Sequence, residues 1–214
     1  MRRTSRVLLV GITSILAIGA ALEASNAQDA GPEPLGFTEA AKLLPSGGHK
    51  EDHFGTSVAI FGDVALVGVP LDDDKGTDSG SVRVFLRSAE GWSEEAKLLA
   101  ADGAAFDNFG ISVALDGDTA LVGADLDNTA KGADSGSVYV CVRNGGSWTQ
   151  QAKLVATDGS AEDAFGNAVA LDGDTALVGA RYDDPKGNDS GSAYVFVRNG
   201  GSWSQQAKLV DGDG

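Results

Sequence analysis

Eight aspartates are spaced as a hard-cation site would need them: Asp72, Asp74 and Asp78; Asp125, Asp127 and Asp134; Asp183 and Asp189. Each group lies in a short loop with a glycine, and closely spaced Asp around such a turn can supply several of the roughly six to eight oxygens that Ca²⁺ takes. The same letters are ordinary turn formers, and an acidic rim keeps a protein soluble. Weak calcium binding and plain turn chemistry are therefore both open readings of these loops. A second acidic position, Asp52, Asp107 and Asp163, stands two residues before a Phe-Gly pair each time. Its expected role is to accept backbone N–H bonds in the segment it sits on.

Other chemistry is thinner. His49 and His53 lie four apart but in a loop, and a structural zinc site wants four N or S ligands that two histidines and one cysteine do not provide. Cys141 stands where the other repeats have Phe85 and Phe196, which marks it as a core residue. No nucleophile elbow, phosphate loop or zincin helix is present, so no catalytic residue is assigned and the chain is read as non-enzymatic. No cofactor other than Ca²⁺ is implied.

The elements that must carry these residues recur. Phe54, Phe109 and Phe165, Gly80, Gly136 and Gly191, Trp92, Trp148 and Trp203, and Lys42, Lys97, Lys153 and Lys208 all repeat in steps of 55 or 56 residues. Within a unit, Ser57–Ile60 and Asp63–Val67 flank a tight junction that the later copies sharpen to Asp116-Gly117 and Asp172-Gly173, a strong hairpin signal. Ser81–Arg87 alternates and is rich in β-formers, and its counterparts run into Asn144-Gly145-Gly146 and Asn199-Gly200-Gly201 turns. A fourth strand, Trp148–Val155 in the second copy, closes the unit, with charges such as Glu94, Glu95 and Lys97 protecting an outer edge.

The spacing predicts an all-β chain of three four-stranded antiparallel meanders, over about 54–99, 109–155 and 165–210. The second strand, as in Ala120-Leu121-Val122-Gly123-Ala124, is apolar on both faces and demands a cover on each side. Radially stacked β-propeller blades meet that demand, and a sandwich of repeated hairpins is the alternative. Residues 37–44 match a fourth strand, which adds one N-terminal strand to the three units. Closed propellers need roughly four to eight blades. The array is thus expected to be incomplete or open, with self-association through the unpaired terminal blades as one outcome.

Phe54-Gly55-Thr56-Ser57-Val58-Ala59 followed by Leu66-Val67-Gly68-Val69-Pro70 resembles the FG-GAP repeat of the integrin α-chain propeller in its compact bacterial form, and the resemblance covers residues 42–210. It implies a propeller whose partners, a protein or a glycan, dock on one loop-bearing end. Only Val69-Pro70 approximates the family's Gly-Ala-Pro, since Ala124-Asp125 and Ala180-Arg181 stand in the later units. The integrin-type calcium loop between the first two strands is shortened here to Asp-Gly-Asp and cannot be carried over.

The N-terminus reads as an export signal over 1–27, with Arg2, Arg3 and Arg6 before the apolar run Val7–Leu22 and cleavage expected between Ala27 and Gln28. Residues 28–38 read as a linker and 39–214 as the repeat segment. Removing residues 1–27 shifts the formal charge from −15 to −17. So acidic a chain disfavours nucleic acid and, once the signal is gone, anionic membranes as partners. The sequence reading is a secreted, periplasmic or cell-surface module for binding or adhesion. A segment of a polysaccharide-active enzyme and a structural surface repeat are the alternatives.

Overall fold

A glycine closes the first hairpin of every repeat, after Phe61 in the first and after Asp116 and Asp172 in the others. Gly62, Gly117 and Gly173 take φ of 58°, 56° and 55°, the left-handed value that a tight two-residue turn demands. From these turns the computed structural model, which describes residues 39–212, builds twelve strands and no helix. The expected signal segment and linker lie outside the described residues.

The first sheet comprises β1 (Val58–Phe61), β2 (Val64–Val69), β3 (Ser81–Ser88) and β4 (Gly91–Leu98). The second comprises β5 (Ser112–Asp116), β6 (Thr119–Ala124), β7 (Ser137–Asn144) and β8 (Ser147–Leu154), and the third β9 (Phe165–Asp172), β10 (Thr175–Ala180), β11 (Ser192–Asn199) and β12 (Ser202–Leu209). Each is an antiparallel meander in sequence order, as the repeat predicts. Among the described residues the sheets lie face to face and do not close into one ring, which makes an open, propeller-like array.

Burial explains the stack. Leu66, Val82, Val84 and Leu98 of the first sheet pack on Phe109, Val122, Tyr139 and Cys141 of the second. Leu121, Val138, Val140 and Leu154 then pack on Phe165, Val178, Tyr194 and Phe196 of the third. Leu121 and Val122 point to opposite faces of β6 and both are wholly buried. Burying a side chain of this size stabilises by about 1.5–3 kcal/mol. That is why β6 tolerates apolar residues at every position.

Backbone contacts join the sheets as well. Ser57 Oγ donates to the Gly110 carbonyl and Ser112 Oγ to the Gly166 carbonyl, so the serine of each Phe-Gly-x-Ser fastens onto the glycine of the next unit. The link between units zips onto the loop before it: Phe106, Asn108 and Phe109 donate N–H bonds to Thr77, Asp78 and Ser79, and Glu162, Ala164 and Phe165 to Ala133, Asp134 and Ser135.

One expectation is corrected. Residues 39–44, the described part of the thirteenth strand, enter no ladder, because among the described residues no sheet precedes them to pair with. Leu43 still packs against the Ala65, Val67 and Phe85 face, as Leu98 and Leu154 pack on the sheets that follow them. Arg87 and Arg198 pair with Asp63 and Asp174 through their side chains, whereas Arg143 keeps its backbone N–H on the Asp118 carbonyl and sends its guanidinium to Glu95 of the first sheet. Glu95 is the extra residue of a β-bulge between β3 and β4, which turns it toward the neighbouring sheet.

Candidate functional site

The second loop of each sheet, between its second and third strands, is organised by one lysine from the outer strand. The bulge in β4, β8 and β12 resets the strand's alternation, so that Lys97, Lys153 and Lys208 stand directly opposite Arg83, Tyr139 and Tyr194. From there Lys153 Nζ reaches both Asp127 of its own loop and Asp102 of the incoming link, each at 2.7 Å. Lys208 repeats the arrangement with Asp183 at 2.7 Å and Asp158 at 2.8 Å. The ammonium lies 5.0 Å from the Tyr139 ring centre and 5.2 Å from that of Tyr194, close enough for cation–π attraction. Both tyrosines also donate to the loop aspartate, Tyr139 to Asp127 at 3.1 Å and Tyr194 to Asp183 at 3.2 Å.

The first sheet varies the scheme. Gly47 stands where Asp102 and Asp158 stand later, so Lys97 takes a second carboxylate from its own loop and pairs with Asp72 at 2.6 Å and Asp74 at 2.5 Å. Arg83 replaces the tyrosine and adds a contact to Asp72 at 3.6 Å and one to Glu94 at 2.8 Å.

Electrostatics follow this geometry. Burial works against the charge on Lys153 and Lys208, but the bonds to their two aspartates outweigh it and hold both ammoniums above the ordinary lysine range. Burial likewise pushes Asp72, Asp102 and Asp158 up, and the lysine bonds win again, leaving all three below the usual carboxylate value.

The eight aspartates of the candidate calcium loops therefore do not act as one class. Asp72, Asp127 and Asp183 are buried and engaged by lysine. Asp74 completes the Lys97 pair, and Asp125 faces Arg181 across the second and third units at 3.4 Å. Burial raises Asp125, with Arg181 opposing. Asp78, Asp134 and Asp189 occupy left-handed turn positions, where their N–H groups are capped by Asp73, Asn128 and Asp184 side chains. Among the described residues no group of three or more His, Cys, Asp or Glu converges as a metal ion requires. In every loop the buried aspartate, Asp72, Asp127 or Asp183, is already bound to a lysine ammonium.

Asp52, Asp107 and Asp163 do what their position predicts. Each accepts a backbone N–H bond within its link, from His49, Ala104 and Ser160 respectively, at 2.6–2.7 Å. His49 and His53 serve the first link in the same way, His53 through its carbonyl to Thr56. Cys141 is buried against the first sheet, and burial pushes its thiol up to about 12, the state of a packing residue rather than a nucleophile.

At the loop end, a cleft of about 450 Å³ opens between the second and third units, lined by Leu126, Ala164, Tyr182, Asp134, Glu162 and Asp189. Tyr182 is exposed there, with the Arg181 guanidinium 4.6 Å from its ring centre. Phe106, which occupies in the link between the first and second sheets the position of Glu162, is 58% exposed at φ 72°. A bulky side chain held in that region and turned to solvent is unusual. The repeat comparison passed over both aromatics, because each occurs once and the repeat highlights what recurs.

The model of the FG-GAP repeat matches residues 37–85, 92–141 and 148–196, more than half of the chain. The second and third stretches begin in the outer strand of one sheet, β4 or β8, and end in the third strand of the next, β7 or β11, so a sequence repeat straddles two sheets. No curated protein matches the chain. Among solved structures, Saccharomyces cerevisiae Sqt1 is similar at 13% identity and a TM-score of 0.47, covering 76% of this chain; the chain spans 37% of that structure's length.

Proposed function

The chain belongs to the FG-GAP repeat family, and from that premise we propose that it is an exported, non-catalytic module of the adhesion type that binds a protein or glycan ligand with its loop end. The observation that supports this reading is the cleft between the second and third units. Its Tyr182 ring and Leu126 side chain offer apolar contact, while Asp134, Glu162 and Asp189 line it with acceptors. An exposed aromatic beside carboxylates suits the C–H faces and hydroxyls of a sugar, or the basic and aromatic side chains of a protein. The lysine-bound aspartates are structural, and of the cleft carboxylates Asp134 and Asp189 belong to a turn position repeated in every unit. Non-catalytic binding accords with that division.

The test is retention of the purified chain on immobilised polysaccharides and on envelope proteins. Tyr182→Ala and Phe106→Ala should weaken retention at least tenfold, with the melting temperature unchanged. A parent chain that is retained by neither class of ligand, or variants retained as well as the parent, would remove the basis of this proposal. Export rests on residues 1–27, and N-terminal sequencing of the secreted product should begin at Gln28.

A further inference from the structure

We propose that lysine, not a metal ion, is the resident cation of these acidic loops, and that Lys153 and Lys208 thereby act as clasps between successive units. Three independent copies carry the inference. In each, one ammonium lies within 2.8 Å of two carboxylate oxygens. In two of the three, those oxygens belong to different segments: the second loop of the lysine's own sheet, and the link arriving from the sheet before. The same aspartate Oδ2 that meets the ammonium also accepts from Ser81 Oγ at 2.9 Å in the first sheet and from Ser137 Oγ at 2.5 Å in the second.

A divalent ion entering this arrangement would meet a fixed positive charge where its own ligands should be. The ammonium supplies the neutralisation that a buried carboxylate requires, and it comes covalently attached to the outer strand. Metal concentration therefore drops out of the stability of these loops, whereas the integrity of one side chain per unit enters it. Lys97 differs: both of its carboxylates come from its own loop, so it closes a loop without joining two units.

The experiment uses the full mature chain. Thermal melts in 5 mM CaCl₂ and in EDTA should coincide within about 1 °C, and calorimetric titration of CaCl₂ should give only heat of dilution. A calcium-induced rise of several degrees overturns the proposal. Lys153→Met should lower the melting temperature by about 5 °C or more, Lys153→Arg should recover most of that loss, and Lys97→Met should cost less than Lys153→Met. A Lys153→Met chain that melts with the parent also overturns it. Because a methionine variant can fail to fold, labelling of the unmodified chain gives an independent reading. Acetic anhydride near pH 9 should modify the exposed Lys186 at least tenfold faster than Lys97, Lys153 and Lys208, and equal rates by mass spectrometry would refute the clasp.

Discussion

The hexapeptide Thr-Ala-Leu-Val-Gly-Ala occurs twice, as β6 and as β10, in two different surroundings. In β6 all six residues are buried, whereas in β10 burial alternates and Leu177 is 41% exposed where Leu121 is wholly covered. The letters are identical, and so is the pairing within each sheet except for a bulge that lets Ala180 pair with Phe165. What differs is the neighbour: the third sheet covers the Leu121 face, and among the described residues no sheet covers the Leu177 face. A double-faced apolar strand thus declares a need for two neighbours, and the fold decides how many it receives.

The largest break in this comparison is expected at the glycines. A Cβ on Gly123 would lie 2.0 Å from the Gly166 carbonyl oxygen, backbone that cannot step aside, whereas on Gly179 it would meet only the Asn167 side chain at 3.0 Å and Ala168 Cβ at 3.5 Å. Gly123→Ala should cost more than ~3 kcal/mol, and Gly179→Ala should be neutral or slightly stabilising. Chemical denaturation of the pair reads the difference, and equal losses would show that the two sheets do not meet as described. Next come the leucines: Leu121→Ala should destabilise by about 2–5 kcal/mol and Leu177→Ala by about 1 kcal/mol or less. Urea midpoints at constant slope check this.

A smaller contrast lies in the serine bond. Ser112 Oγ is buried 2.7 Å from the Gly166 carbonyl, while the third unit carries Ala168 at that position. Ser112→Ala should cost about 1 kcal/mol, and Ala168→Ser should change nothing measurable. The last test is acid. Asp102 and Asp158 titrate below the ordinary carboxylate range in the folded chain. The stability they contribute is full above their unfolded values and fades as pH falls through the folded ones, beginning near pH 4. Both groups are about half exposed, so the effect is modest and screened by salt. Melting curves from pH 5 to pH 2.5 should show it in the parent, and Lys153→Met should flatten the part that belongs to Asp102.

Strands, hairpins and the stacking of sheets were legible because period and alternation are properties of the chain itself. The link aspartates were legible too, since Asp107 reaches an N–H only three residues away. The lysine clasps were not, although Ala-Lys-Leu recurs in every unit. Lys153 reads as the charge of an outer edge. Its true direction depends on a bulge at Gln151 that nothing in the local letters announces, and on a flexible stem long enough to carry the ammonium inward. Arg143 escaped for the same reason, because its partner Glu95 is itself a bulged residue. Phe106 and Tyr182 were hidden differently. Repetition draws the eye to what is shared, and a recognition surface depends on what is not.

The zipping of each link onto the loop before it gives the molecule a direction in time. A ribosome releases the first sheet before the second, so Phe106, Asn108 and Phe109 emerge after the carbonyls of Thr77, Asp78 and Ser79 that will hold them. Every new segment is born next to a finished template.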